Sequence, residues 1–357
     1  MRRITKQVQI GGVKIGGGSP VVVQSMNTTK TEDVEATVAQ IFELAAAGCE
    51  ITRLAVPDAD AAKALAEICP KSVLPIVADI HFDYRLALTA INNGVNALRI
   101  NPGNLRENEG LAKIAKAARI RSIPIRVGVN AGSLNRKIIE KYGGINEEAM
   151  AYSALNAANQ LELEGFYDIC LSVKASDPML TIKSYRLLSE LTDYPLHLGV
   201  TEAGTLWEGT IRSAVGIGTL LAEGIGDTIR VSLTADPVEE VRAAYAILRA
   251  LNLREQGPVL ISCPTCGRTE VDLMTLAREV ELRLSKIETP LIVAVMGCVV
   301  NGPGEAREAD IGLAGGKGEF VLFKKGHAVR KVSEQKAVEE LFAEIERMEA
   351  EGQAEEQ

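Results

Sequence analysis

Three cysteines stand where their thiols can share one metal centre. Cys263 and Cys266 are separated by two residues, so both can bind from a single turn, and Cys298 follows a later apolar run. A structural zinc ion takes four nitrogen or sulfur ligands, whereas iron-sulfur clusters are held by cysteine thiolates. The spacing predicts a metal centre with three thiolate ligands and leaves the fourth ligand open.

The fourth ligand has two candidates. Glu305 comes shortly after Cys298, behind a turn at 301–304, and His327 lies several residues past a predicted strand. Glu305 is nearer to Cys298 in the sequence than His327 is, and this favours Glu305 as the ligand. A carboxylate is a hard, weak ligand for iron, so an iron held by it would open readily to an oxygen-bearing substrate and the centre would be catalytic. The alternatives are a zinc site with three cysteines and one histidine, or a turn in which Glu305 only caps a helix; the spacing favours iron-sulfur over zinc.

Five predicted strands each carry one cation where a buried parallel strand would be apolar. The cations are Arg53, Arg99, Arg126, Lys174 and Arg230. Strand alternation allows all five to point into a barrel, where they would require a polyanion such as a diphosphate. Polar residues in or after the strands could complete its hydrogen bonds: Gln24, Asn101, Asn130, Ser172, Thr201 and Ser232.

Each cation could instead pair with a barrel carboxylate, for which Asp79 and Glu202 are the candidates. Glu202 follows the seventh strand at the barrel mouth, so it is either a general acid or an ion-pair partner of the arginines. His81 shares one side of its strand with Asp79 and is expected to line the substrate site, whereas His197 is expected to lie in the core. Lys174 could alternatively form a Schiff base, as in a barrel aldolase.

These residues need a scaffold, and the chain repeats a short β-rich run, a polar loop and a helical stretch eight times. The strands are predicted at 21–25, 51–56, 75–80, 97–101, 125–130, 168–174, 196–201 and 228–233. Eight parallel strands with intervening helices close into a (β/α)8 TIM barrel, whose sites form at the carboxyl ends of the strands. A hairpin at 7–15 is expected to plug one end, and the long connection at 131–146 to form a flap.

A polar linker then leads to a smaller α+β domain that carries the cysteines. The predicted domains are a TIM-barrel substrate domain at 1–253 and an iron-sulfur domain at 258–349, followed by an acidic tail at 350–357 that is expected to fray. In the second domain we predict strands at 259–262 and 291–296, a helix at about 270–287, β-rich segments at 311–314 and 320–323, and a last helix starting near Ser333.

The composition narrows the class of protein. Of the 357 residues, 46% are hydrophobic and only 4% aromatic, which suits parallel strands packed under helices. A net charge of -8 argues against nucleic acid or an acidic membrane surface as a partner. No signal segment or membrane-length apolar run appears, so we expect a cytoplasmic protein. Cys49, Cys69 and Cys170 are expected to be inert packing residues.

Two segments resemble the cluster motifs of a known enzyme family: CPTCGR at 263–268 and GCVVNGPGE at 297–305. The family is that of 4-hydroxy-3-methylbut-2-enyl diphosphate synthase, an oxidoreductase of the methylerythritol phosphate route of isoprenoid biosynthesis. The segment at 22–28 resembles the family's first barrel strand and the loop after it. The resemblance covers essentially the whole chain, in the shorter bacterial layout.

The resemblance implies a 4Fe-4S cluster on Cys263, Cys266, Cys298 and Glu305, and a barrel that binds 2-C-methyl-D-erythritol 2,4-cyclodiphosphate. Reductive ring opening and dehydroxylation would yield (E)-4-hydroxy-3-methylbut-2-enyl diphosphate, with electrons from flavodoxin or ferredoxin. The five cations would clamp the diphosphate, Glu202 would act as an acid near the reacting hydroxyl, and Glu305 would leave the cluster during turnover. Family members are head-to-tail homodimers in which the cluster domain of one chain caps the barrel of the other.

Two other classes of function remain open on the residues alone. A zinc-stabilised barrel aldolase would use Lys174 as its Schiff-base nucleophile, and a non-enzymatic iron-sulfur carrier would bind iron without any affinity for a cyclic diphosphate.

Overall fold

The computed structural model describes residues 2–81, 83–101, 108–255, 257–287, 289–298 and 307–355. These residues form two compact units, which meet in the chain between Arg254 and Glu255. Within these ranges, every helix is too short or too polar to cross a membrane.

The first unit contains a hairpin, eight further strands and nine described helices. The hairpin is β1 (Val8–Ile10) and β2 (Val13–Ile15). The further strands are β3 (Val22–Met26), β4 (Ile51–Ala55), β5 (Ile76–Ile80), β6 (Ala97–Ile100), β7 (Ile125–Asn130), β8 (Ile169–Lys174), β9 (His197–Leu198) and β10 (Thr228–Ile229). The helices are α1 (Val34–Ala46), α2 (Ala59–Ile68), α3 (Tyr84–Asn92), α4 (Asn108–Arg121), α5 (Arg136–Tyr142), α6 (Glu147–Leu163), α7 (Pro178–Leu191), α8 (Leu206–Ala222) and α9 (Pro237–Ala250).

The eight strands from β3 to β10 form one parallel sheet that closes on itself. Their order is β8-β7-β6-β5-β4-β3-β10-β9. A parallel bridge between Leu171 in β8 and Leu196, directly before β9, joins the two ends of the sheet. The predicted (β/α)8 barrel is confirmed, although β9 and β10 are shorter than the sequence suggested.

Acidic residues cap the amino-terminal ends of several barrel helices. A side-chain oxygen of Asp33, Asp58, Asp177 or Asp236 accepts a hydrogen bond from a backbone N–H in the first turn of the helix that follows. Such caps satisfy donors that have no partner inside the helix. The connection after β7, expected to be a flap, contains a short 3-10 turn and the helix α5.

The β1–β2 hairpin covers the amino-terminal end of the barrel. Its apolar residues Val8, Ile10 and Ile15 form one buried cluster with the early strand residues Val22, Ile51, Val77 and Ala97. The predicted plug is therefore present. The carboxyl-terminal end, where ligands bind in barrels of this kind, lies at the opposite end of the strands.

The second unit is a mixed sheet with two described helices. Its strands are β11 (Val259–Ser262), β12 (Ile292–Met296), β13 (Ile311–Gly316), β14 (Glu319–Lys324) and β15 (His327–Ser333), and its helices are α10 (Leu273–Leu284) and α11 (Ala337–Glu355). Strands β11, β12 and β13 are parallel, and β14 and β15 continue the sheet antiparallel. Apolar residues of both helices share one core with the sheet. The predicted α+β architecture is confirmed.

Two features of this unit differ from the sequence analysis. Strand β15 was not predicted, because only Val332 of its seven residues is buried, so the strand has no apolar alternation. Helix α11 begins at Ala337 rather than near Ser333, and it continues to Glu355, through residues that we expected to fray.

Candidate active site

Five cations line the interior of the barrel. Each cation has a chain neighbour that is buried in the core under the helices; these neighbours are Leu54, Leu98, Val127, Val173 and Val231. Because side chains alternate along a strand, the cations themselves point to the opposite side, into the barrel. These inward residues are Arg53, Arg99, Arg126, Lys174 and Arg230; burial, followed by repulsion from the four arginines, lowers the pKa of Lys174.

Asp79 in β5 is the anionic partner of two of these cations. Its carboxylate is buried; Arg99 Nη1 donates to Oδ1 at 3.0 Å, and Arg53 Nε lies 3.7 Å from Oδ2. His81 Nε2 lies 3.4 Å from Oδ2. Burial alone would raise the pKa of Asp79, but the charges of Arg53 and Arg99 and the hydrogen bond with His81 hold this pKa well below its usual value. Asp79 is therefore a permanently ionised anchor.

Arg230 has a different partner, which lies on helix α9. Its Nε and Nη2 donate to the two carboxylate oxygens of Glu240 at 3.0 and 2.8 Å, in a parallel fork. From the sequence, Asp79 and Glu202 were the candidate ion-pair partners, and Glu240 was not among them. Glu240 is thus a residue of the site that sequence reasoning missed.

Arg126 and Lys174 have no carboxylate partner among the residues that the structure describes. Arg126 Nη1 donates to Gln24 Oε1 at 2.5 Å, while its Nε and Nη2 are buried without an acceptor. Burial lowers the pKa of Arg126 to about 10, and burial followed by repulsion from the arginines lowers the pKa of Lys174 well below its usual value. Five cations therefore face two carboxylates, Asp79 and Glu240, and the excess positive charge favours an anion.

Several predicted polar residues lie near the mouth of the barrel. Asn101 is buried, and its Nδ2 donates to Ser133 Oγ at 2.8 Å. Ser133 Oγ in turn donates to the backbone oxygen of Asn130 at 3.1 Å, which links the ends of β6 and β7. Thr201 and Ser232 are half-buried after β9 and β10.

Glu202 lies just after β9 and is exposed. Its φ of +52° falls in the left-handed region, which a side chain adopts only when the surrounding structure imposes it. The ion-pair role offered for Glu202 is not observed, because none of the ion pairs found among the described residues includes it; Asp79 and Glu240 occupy that role. The acid role stays a prediction.

His197 is completely buried, as expected for a core residue, and its Nδ1 lies 3.4 Å from Thr228 Oγ1. Burial and the charges of Arg126, Lys174 and other cations lower its pKa well below the usual value. His197 is therefore a neutral neighbour of the cations.

Two glycines leave the space that the cations occupy. A Cβ at Gly128 would lie 2.6 Å from Arg99 Nε, and a Cβ at Gly199 would lie 2.6 Å from Lys174 Nζ and 2.8 Å from the backbone oxygen of Arg230. Any larger residue at either position would displace a cation or the backbone that carries one.

We predict that Gly128→Ala lowers kcat/KM about tenfold, because a small displacement of a positioned group is costly. The added methyl would force Arg99 away from Asp79 Oδ1. Steady-state kinetics check this prediction, with Gly12→Ala as the control, because a Cβ there meets nothing within 4 Å. Equal kinetics for Gly128→Ala and wild type would contradict it.

Lys174 gives the barrel a pH dependence of known sign. Its pKa in the fold lies below that in the unfolded chain, so the unfolded chain binds more protons and stability rises with pH up to about 10.5. We expect the unfolding free energy of the ligand-free wild type to rise relative to that of Lys174→Met between pH 7 and pH 9. Urea titrations at both pH values measure it, and parallel pH profiles for the two proteins would refute it.

The three cysteines follow the carboxyl ends of two adjacent parallel strands. Cys263 comes directly after β11 and Cys298 shortly after β12. The N–H of Gly297 donates to Cys263 Sγ at 3.2 Å, so this sulfur lies beside the residue that precedes Cys298. A backbone hydrogen bond from Arg268, aided by the Arg268 charge, lowers the pKa of Cys266. This favours the thiolate, the form that binds metal.

The ligand set is only partly described. Among the described residues, no three side chains of His, Cys, Asp or Glu converge closely enough to hold a metal ion. The predicted ligand Glu305 belongs to the segment 299–306, which lies outside the described residues. Two of the thiols come from neighbouring strand ends and one has a lowered pKa, and this donor chemistry fits an iron-sulfur cluster.

The other candidate for the fourth ligand lies at the wrong end of the sheet. His327 is the first residue of β15. Following the register across the sheet, it pairs with Lys324 in β14, Lys324 pairs with Ile311 in β13, and Ile311 pairs with Val293 near the start of β12. Cys298 lies about five residues further along, or ~17 Å for an extended strand. His327 is therefore excluded as a ligand to the same centre within one chain.

Comparison with protein families gives two matches that together span almost the entire chain. Residues 5–245 match the GcpE TIM-barrel domain, and residues 259–347 match the GcpE protein C-terminal domain. The chain belongs to the GcpE family.

Curated relatives of this GcpE chain share most of its length. A protein of Caldanaerobacter subterraneus subsp. tengcongensis is 59% identical over 98% of this chain and 98% of its own. Proteins of Clostridium acetobutylicum and Geobacter sulfurreducens are 58% and 56% identical over 98% of this chain, and over 100% and 99% of their own lengths. All three are named 4-hydroxy-3-methylbut-2-en-1-yl diphosphate synthase (flavodoxin). The predicted family is confirmed, and it supports the reductive enzyme rather than the Schiff-base aldolase.

Solved structures support the barrel of this GcpE chain. A dihydropteroate synthase of Yersinia pestis, 13% identical, has a TM-score of 0.50 over 70% of this chain and 99% of its own. A type I 3-dehydroquinate dehydratase of Clostridium difficile, 14% identical, has a TM-score of 0.50 over 70% of this chain and 98% of its own. At such low identity the likeness concerns the fold alone.

Proposed function

We propose that this protein converts 2-C-methyl-D-erythritol 2,4-cyclodiphosphate to (E)-4-hydroxy-3-methylbut-2-enyl diphosphate. The conversion takes up two electrons and two protons, breaks the carbon–oxygen bond that opens the ring, and releases one hydroxyl as water. The observation that carries this proposal is the excess of buried positive charge in the barrel, which suits a cyclic diphosphate dianion.

The barrel cations would bind the diphosphate in two different ways. Arg53 and Arg99 are held by Asp79, so they would present fixed donors to the diphosphate. Arg126 and Lys174 lack a carboxylate among the described residues, so their charges are free to be neutralised by the ligand. Binding in a water-poor interior strengthens each of these contacts.

The cluster domain would bring the redox chemistry. Cys263, Cys266, Cys298 and Glu305 would hold a 4Fe-4S cluster, which when bound supplies the two electrons one at a time. Because a carboxylate binds iron more weakly than a thiolate does, Glu305 is the ligand that we propose to leave during turnover.

Glu202 is our candidate for the proton donor to the departing hydroxyl. It is exposed at the barrel mouth and free of ion pairs among the described residues, so it can exchange protons with solvent.

We also propose flavodoxin as the electron donor, since the relatives' names include it. A head-to-tail homodimer, implied by the resemblance, remains a prediction; sedimentation equilibrium of the cluster-loaded protein checks it. The cytoplasmic location likewise remains a prediction.

Anaerobic purification followed by iron and sulfide analysis tests the proposal, together with a reductant-driven assay on the cyclic diphosphate. We expect about four irons and four sulfides per chain, and formation of the linear diphosphate by mass spectrometry. A cluster-loaded protein that leaves the substrate unchanged would refute the function. A colourless protein trapped on Lys174 by borohydride would favour the aldolase.

A further inference from the structure

Glu240 is a buried carboxylate that the proposed reaction does not use directly. It lies in the first turn of α9 and is only 2% exposed. Its neighbour Glu239, in the same turn, instead pairs with Arg242 on the surface. An acidic residue that only favours a helix start needs no burial, so the position of Glu240 calls for another explanation.

Four hydrogen bonds converge on this carboxylate. Oε1 accepts from Arg230 Nη2 at 2.8 Å and from the backbone N–H of Leu233 at 3.0 Å. Oε2 accepts from Arg230 Nε at 3.0 Å and from Ser25 Oγ at 2.8 Å. The contacts tie together β3, helix α9 and the segment after β10. A carboxylate has about four lone-pair directions, and here all of them are used.

This arrangement determines what Arg230 can offer to a ligand. Two of its five N–H groups are committed to Glu240, so the two on Nη1 and the second one on Nη2 are left for an anion in the barrel. The bond to Leu233 N–H also fixes the backbone beside Ser232, another residue predicted to contact the diphosphate. One carboxylate therefore controls two candidate ligand residues.

We infer that Glu240 is a positioning residue, which sets Arg230 and the Ser232 segment against the cyclic diphosphate without touching it. The inference rests on the proposed function. Supporting residues of this kind hold a charged ligand group in one rotamer, and their loss shows mainly as weaker binding.

The test compares Glu240→Gln with wild type in cluster-loaded protein, under anaerobic conditions. Glutamine keeps the size of the side chain but loses one acceptor of the fork. We expect the calorimetric Kd and the KM for the cyclic diphosphate to rise at least about tenfold, with a much smaller change in kcat. The matched control Glu239→Gln should remain within twofold of wild type.

A double-mutant cycle separates positioning from a purely structural role. If Glu240 acts through Arg230, Glu240→Gln should change the Kd less than about threefold when it is added to Arg230→Gln. Independent, multiplying effects would overturn the inference, as would a lowered Tm of Glu240→Gln with an unchanged Kd.

A second variant keeps the inference testable if Glu240→Gln does not fold. Arg230→Lys retains Glu240 and the positive charge but removes the fork. A Kd at least about tenfold weaker supports the inference, and a wild-type Kd overturns it. A wild type that binds no cyclic diphosphate defeats both the proposed function and this inference, whereas an active wild type with an unaffected Glu240→Gln variant defeats only the inference.

Discussion

Replacement of Cys298 by serine is expected to prevent binding of the proposed iron-sulfur cluster and to abolish measurable turnover. Cys298 is only 6% exposed and lies shortly after β12, directly behind Gly297, whose N–H donates to Cys263 Sγ. A serine hydroxyl is not deprotonated at neutral pH and is a poor substitute for a thiolate on iron. We expect loss of the brown colour and a fall in activity of more than about 100-fold, measured by iron analysis and steady-state assay.

The control for this experiment is another cysteine of the same chain. Cys69 begins a 3-10 turn at the end of α2, outside both sites, and burial raises its pKa to about 11, so it is not a thiolate at neutral pH. Cys69→Ser should keep its iron and its activity. A brown and active Cys298→Ser protein would overturn the cluster assignment, and equal iron loss in both variants would point to a general defect in cluster assembly.

Arg126→Met is expected to weaken binding of the cyclic diphosphate at least about 100-fold, or about 2.7 kcal/mol, without lowering the stability of the ligand-free protein. Arg126 is buried, and its nitrogens Nε and Nη2 have no hydrogen-bond acceptor among the described residues; each unsatisfied buried donor costs about 1–3 kcal/mol. Methionine removes these groups while filling similar space. The Tm should therefore stay constant or rise while the calorimetric Kd increases.

The Arg126 prediction is specific because it combines weaker ligand binding with unchanged or higher stability. A residue needed for folding would lower the Tm when replaced, whereas an unpaired cation kept for a ligand should not. Arg121→Met, at the exposed end of α4, is the control and should change neither quantity. An unchanged Kd in Arg126→Met would remove Arg126 from the diphosphate clamp.

The sequence was sufficient to predict the barrel and its inward cations, because both depend on short-range periodicity. A cation such as Arg99 between Leu98 and Ile100 contradicts the apolar pattern of a buried strand, so it can be recognised without a structure. Asp79 could be proposed as a partner for the same reason, since it breaks the pattern of β5.

Glu240 could not be assigned in this way, because its sequence context has an ordinary explanation. An acidic residue in the first turn of a helix stabilises the helix dipole, and Glu239 and Glu240 look alike in sequence. Their difference depends on how α9 packs against β3, which brings Ser25 to a residue more than 200 positions away. The one available signal was the period of the helix, which turns Glu240 rather than Glu239 inward with Val241 and Ala244.

Among the described residues, the hairpin covers the amino-terminal end of the barrel, so a ligand would reach the inward cations from the carboxyl-terminal end. Substrate, product and the released water would all have to pass through the mouth at the carboxyl ends of the strands, past Glu202. Substrate entering and product leaving would then share one route, so a product that dissociates slowly would exclude the next substrate molecule. For such an enzyme, the rate of emptying rather than the rate of bond breaking can set the pace of the cycle.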